Sequence, residues 1–139
     1  MKKLFLLTSL LVIWITITSY STLSDFDCTS VHTGHLYQYK NGTQLYSTII
    51  REDSLQTEIN SQTGDTTYWK IRWTDNCTFT TTYLSGLKAK SEQELDFYRQ
   101  TVTVIKIRTV TQTYFTYDAE LKNKYISKKI SDTAWRRLK

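Results

Sequence analysis

The stretch 66–84 constrains the chain more than any other. Trp69, Ile71 and Trp73 recur at every second position, with Lys70 and Arg72 between them. That is the alternation of a strand with one face in a core and the other in water. After Thr74, Asp75 and Asn76 the same phase resumes in Cys77, Phe79 and Tyr83. Two such runs with a polar break between them predict a hairpin. A two-residue turn of Asp75 and Asn76 pairs Thr74 with Cys77 and sets Trp73 against Thr78, so the tryptophan face meets a row of threonines. A three-residue loop of Thr74, Asp75 and Asn76 pairs Trp73 with Cys77, Ile71 with Phe79 and Trp69 with Thr81, and places every bulky group on one face. Asn76 tolerates the left-handed conformation such a loop wants in third place. The three-residue register is therefore expected.

The N-terminus carries an address. Lys2 and Lys3 precede an uncharged, largely apolar run over 4–18, followed by Ser19, Tyr20 and Ser21. A charged leader, an apolar segment and a small-x-small site mark a cleaved secretory signal. The apolar run is shorter than the ~20 residues a spanning helix needs. Residues 1–21 are thus expected to be a signal peptide, leaving 22–139 as a single β domain, periplasmic or secreted, with no stable membrane span after cleavage.

Export gives the cysteines a meaning. Cys28 and Cys77 are the only two, and an even pair in an oxidising compartment reads as a disulfide. The competing use is a metal site of Cys28, His32, His35 and Cys77. It would need thiols that stay reduced outside the cytosol, and a ligand spacing of zinc type that the chain lacks. No metal and no cofactor is expected. The formal net charge of +5 is uneven: over 121–139 the basic residues are opposed by Asp132 alone. A basic end containing Trp135 has the composition of a phosphate grip. The solvated face of a last strand looks the same, and an exported protein seldom meets nucleic acid, so none is expected as a partner.

The remaining elements follow in order. Residues 31–40 run to Asn41-Gly42, a strong two-residue hairpin signal, and 43–51 return. That turn makes Tyr37 face Tyr46 and His35 face Thr48, with Leu36, Leu45 and Ile49 on the opposite, aliphatic face. Residues 55–60 form a third strand. Ser91 with Glu94 is a capping box ahead of Leu95 and Tyr98, predicting a short helix over 92–99. In the sixth strand, 101–110, Val102 and Val104 share one face and Ile105 and Ile107 the other, which a bulge near Val104 and Ile105 would repair. Residues 114–118 and 126–138 complete the set. The fold class is all-β: an antiparallel meander of seven to eight strands curled into a barrel-like, lipocalin-like sheet with one short helix. A curved sheet with the helix packed on it, an α+β arrangement, is the alternative.

Several of these motifs together are similar to a known group. Cys28-x4-Thr33-Gly34, the run from Arg51 to Glu58, Ile71-Arg72-Trp73 followed by Asp75, Cys77 and Phe79, and an ending in Asp132, Ala134 and Trp135 resemble a family of short exported envelope proteins of Bacteroidota. Its members have no established function, and many carry an automatic label of DNA topoisomerase IV. The resemblance implies an exported β-protein and transfers no catalytic residue. Topoisomerase chemistry would need a nucleotide-binding fold, a metal-binding acidic cluster and a tyrosine nucleophile over several large domains, none of which this chain supplies. Lipid-anchored members place a cysteine after the leader where this chain has Tyr20, so no lipid anchor is expected.

Catalytic residues are not legible. His32 and His35 are the only histidines, no Gly-x-Ser-x-Gly elbow exists, and the thiols are expected to be oxidised. Glu52, Asp53, Asp75 and Glu94 sit at turns and a helix start, where acids occur for local reasons. The chain is expected to be a monomeric, non-enzymatic binding or interaction module that takes a small apolar ligand or an envelope protein, with His35, Tyr37 and Tyr46 as the candidate ligand-binding surface. The alternative is a small hydrolase whose site is assembled across strands.

Overall fold

The computed structural model describes residues 27–139; the expected signal peptide lies outside them. Eight antiparallel strands follow one another around a closed barrel: β1 Gly34–Lys40, β2 Gln44–Arg51, β3 Leu55–Asn60, β4 Thr66–Asp75, β5 Thr78–Ser85, β6 Val102–Val110, β7 Tyr114–Lys122 and β8 Ser127–Trp135. One helix, α1 Glu92–Gln100, lies in the β5–β6 connection, and a 3-10 turn, Cys28–Val31, precedes β1. Eight strands leave an interior that side chains just fill, or that holds one small ligand.

An up-and-down order sorts the connections to two ends. The lower end carries the 3-10 turn and the β2–β3, β4–β5 and β6–β7 turns. The upper end carries the β1–β2, β3–β4 and β7–β8 turns and α1. The core runs up from the lower end: Val31, Leu36, Ile49, Ile71, Phe79, Ile107 and Phe115 are buried there. A disulfide joins Cys28 to Cys77, tying the 3-10 turn to the β4–β5 turn. His32 reinforces the tie, its Nε2 lying 2.8 Å from the Asn76 carbonyl and its ring stacked on Trp73.

Most of the predicted faces survive, but both hairpin registers are corrected, and Leu45 pairs with Tyr39 instead of joining Leu36 and Ile49. The first turn takes three residues, with Asn41 and Gly42 both at positive φ, and Lys40 pairs with Gln44. A bulge then absorbs Tyr46, so Tyr37 lies opposite Thr48 and His35 opposite Ile50. One extra residue in the loop and one in the bulge slide the strand by two positions, which restores the phase. Leu36 and Ile49 therefore still meet in the core. In the second hairpin the turn takes two residues, Asn76 and Cys77, because the Asp75 carboxylate accepts the Cys77 N–H at 2.8 Å. Thr74 becomes a bulge and Trp73 faces Phe79, not Cys77. Again the slip is even, and Trp69, Ile71 and Trp73 keep their common face.

Three smaller differences have local causes. Residues 31–33 do not extend β1, because the chain is turning through the 3-10 segment there. The β6 irregularity falls at Arg108, between the Ile107↔Tyr117 and Thr109↔Thr116 pairs. It leaves Ile105 and Ile107 in phase and brings Val110 inward, while Val102 faces out. β7 runs on to Lys122, four residues beyond expectation. The helix begins as its cap predicts: Ser91 Oγ accepts the Glu94 N–H, while the Glu94 carboxylate reaches back to the Lys90 N–H. Barrel closure is economical, with β1 and β8 sharing the single register pair Tyr37↔Trp135. No helix among the described residues is long and apolar enough to cross a membrane.

Candidate functional site

Inward-facing residues of all eight strands leave a chamber of about 200 Å³ inside the barrel. Its wall is mostly apolar, built by Ile49, Phe79, Ile105, Phe115, Ala119 and Leu121. Drug-sized ligands occupy pockets of roughly 300–1,000 Å³, so the chamber suits a smaller molecule or the buried end of a longer one. Set into this wall are charged and amide side chains that strand alternation forces inward. On β2, Arg51 follows Ile49 two places on; on β3, Gln56 and Glu58 share a face.

Arg51 closes the floor. It is 5% exposed, and its guanidinium lies over the Phe79 ring, 4.6 Å from the centroid. Its Nε and Nη2 donate to Gln56 Oε1 at 3.1 and 3.0 Å, and Nη1 donates to the Val31 carbonyl at 3.1 Å. Burial pulls the guanidinium down to about 10, which keeps the charge at neutral pH. This cation therefore holds the 3-10 turn against the barrel through neutral acceptors instead of a carboxylate.

Glu58 stands two residues above Gln56 on the same face of β3, about 7 Å toward the upper end. Its Oε2 accepts the indole N–H of Trp69 at 2.8 Å. It makes no salt bridge among the described residues, and burial raises its carboxyl above the ordinary value, with the Trp69 hydrogen bond and the Arg51 charge opposing that rise. Across the chamber the Gln38 amide donates to Tyr117 Oη at 2.8 Å. Burial also raises Tyr117 well above its usual range, so the phenol stays neutral.

Two openings lead upward. One, of about 500 Å³, lies beside α1 and is bordered by Tyr46, Glu58, Trp69, Lys88 and Tyr98. Lys88 is held there by an ion pair with Asp65. The other, of about 520 Å³, lies at the β1–β8 seam between Gln38, Lys40, Tyr117 and Asp132. Ile130 borders the chamber and both openings. The rings of Trp69, Tyr83 and Tyr98 meet edge-on or tilted, with centroids 5.9 to 6.5 Å apart.

Comparison with protein-family models, with curated proteins and with solved structures finds no match. The geometry alone bears on function.

The structure separates the residues singled out from the sequence. Tyr46, displaced into the β2 bulge, borders both openings. His35 and Tyr37 lie on the outer face of β1, since Leu36 and Gln38 point inward, and neither borders the chamber or its openings. Cys28 and Cys77 are bonded to each other, and no group of three or more His, Cys, Asp or Glu side chains able to hold a metal occurs among the described residues. Sequence reasoning passed over Arg51, Gln56, Glu58 and Tyr117. A signal for Arg51 existed, because it has the phase of Ile49, already assigned to the core. For Glu58 the signal is misleading, since Leu55 and Ile59 share the other phase of β3 and would be read as its inward face.

Proposed function

We propose that the chain is an exported, non-enzymatic binding module that holds a small, largely apolar molecule inside the barrel. The observation that carries this reading is the chamber itself, an apolar-walled space within a barrel whose lower end is sealed. Its polar groups are few and placed to orient a ligand, as in small-molecule sites generally. The hydrolase alternative draws no support from the described lining, which contains one carboxylate, Glu58, and no histidine, serine or cysteine. The disulfide agrees with an oxidising compartment, periplasmic or extracellular.

Titration of the isotopically labelled mature protein with indole, followed by amide chemical shifts, tests the reading. Shifts confined to inward positions of the strands, and abolished when Ala119→Phe fills the space, are expected. Shifts scattered over the outer surface, or none at millimolar indole, would overturn it.

A further inference from the structure

The two charged side chains of the chamber differ in how far their hydrogen-bonding capacity is used. Arg51 directs three of its N–H bonds at Gln56 and the Val31 carbonyl, with its plane laid on Phe79. The Trp69 N–H is consumed by Glu58, and a Gln38 N–H by Tyr117. Donors remain on Arg51, Gln56 and Gln38, but Glu58 is the charged side chain with most of its capacity open: a carboxylate takes about four hydrogen bonds, and among the described residues Glu58 receives one, from Trp69. Glu58 borders both the chamber and the α1-side opening, so it stands where an entering molecule passes from one to the other.

The surroundings of that carboxylate suit a cation. Trp69 and Tyr98 border the same opening, their centroids 6.3 Å apart, and aromatic faces attract ammonium groups within about 6 Å. The ionisable groups that sense Glu58 are Arg51 on β2, Tyr117 on β7 and Tyr98 on α1. Of these only Arg51 is charged at neutral pH, and three of its five N–H groups are bound at the floor, one strand repeat below. An anion on the remaining Arg51 N–H groups would sit within about one strand repeat of the Glu58 carboxylate and be repelled by it.

Resting on the chamber reading above, we propose that the ligand is a small organic ammonium. Its amine would be held against Glu58 beside the Trp69–Tyr98 pair, and its apolar body would lie on Phe115, Ile105 and Ala119.

Three probes of similar shape separate the possibilities: 2-phenylethylamine, 2-phenylethanol and 3-phenylpropionate, each titrated calorimetrically into the mature protein and into Glu58→Gln. Glutamine keeps the size of the side chain and an acceptor for Trp69. The amine is expected to bind wild type at least tenfold more tightly than the alcohol, and the propionate more weakly than either. Glu58→Gln should erase the amine's advantage while leaving the alcohol's affinity within twofold. The wild-type ranking stands as a test even without the variant. Alcohol or propionate binding as tightly as the amine, or an amine preference that survives Glu58→Gln, would overturn the cation while leaving the chamber reading intact. No binding by any of the three would sink both.

Discussion

Arg51 and Glu58 show how two inward charges in one barrel differ in purpose. Arg51 bonds neutral partners through all three of its nitrogens and stacks on rings, the mark of a structural cation. Truncating it to alanine would strand the Gln56 amide and the Val31 carbonyl and open a void beneath Phe79. Arg51→Ala is expected to cost about 3–5 kcal/mol by urea denaturation; a loss under about 1 kcal/mol would show that the floor does not depend on it. Glu58 is under-bonded, and its carboxyl is raised in the folded protein, so the folded state binds its proton more tightly than the unfolded chain. The stability this confers is present below the unfolded pKa and is lost as pH rises through the folded one. Wild type should therefore lose stability relative to Glu58→Gln between acidic and neutral pH, a trend that unfolding midpoints at a series of pH values will reveal. A difference independent of pH would contradict the burial of the carboxylate. The sequence made Arg51 legible in principle, through its phase with Ile49. For Glu58 the local pattern misleads, because Leu55 and Ile59 take the alternate phase and would be read as the inward face, whereas the β2 register turns Gln56 and Glu58 inward.

Among elements, the hairpins explain why faces were easier to read than partners. Burying Trp69, Ile71 and Trp73 on one side fixes parity, since a slip of one residue would put them all in water. A slip of two costs no burial, and local chemistry decides it: Asp75 capping Cys77 in one turn, two left-handed residues at Asn41 and Gly42 in the other. The same logic ranks substitutions in β4 and β5. Trp73 is sandwiched between His32 and Phe79, with ring centroids at 3.5 and 4.5 Å, so Trp73→Ala should cost about 3 kcal/mol. Thr78 borders the outer groove with Lys106, so Thr78→Val should change stability by less than about 0.5 kcal/mol. Comparable losses in both by chemical denaturation would mean that Thr78 points inward. The β5–α1 junction depends on Gly86, whose φ is +94°. A Cβ added there would collide with the Thr66 carbonyl oxygen, a backbone atom committed to β4. Gly86→Ala should thus cost about 2 kcal/mol or more. A glycine variant with unchanged melting would show that the connection is free to shift.

For the whole molecule, the barrel is fastened unevenly. At the lower end the disulfide, the His32 stack and Arg51 all converge on the 3-10 turn, while higher up the β1–β8 seam has no register pair beyond Tyr37↔Trp135. Lys139 bridges that seam from outside, its N–H donating to Tyr39 Oη and its Nζ to the Gly42 carbonyl, so side chains, not ladder bonds, hold it. The closed meander was readable from eight strand-like segments joined mostly by tight turns. The chamber was not, because its volume depends on how Ala119, Ala134 and Thr81 leave room opposite Phe115 and Ile105 in three dimensions. The disulfide offers the most direct test of the uneven fastening. It spans 49 residues, and closing a loop of that length stabilises a fold by about 4 kcal/mol on the chain-entropy account. Double replacement of Cys28 and Cys77 by serine should lower stability by about that amount. Amide exchange should quicken first at the 3-10 turn and the β4–β5 turn, with the β6–β7 ladder the last to open. Denatured, unreduced wild type should show no titratable thiol. Two free thiols per chain, or faster exchange spread evenly over all eight strands of the serine variant, would mean that the base is not what holds the barrel shut.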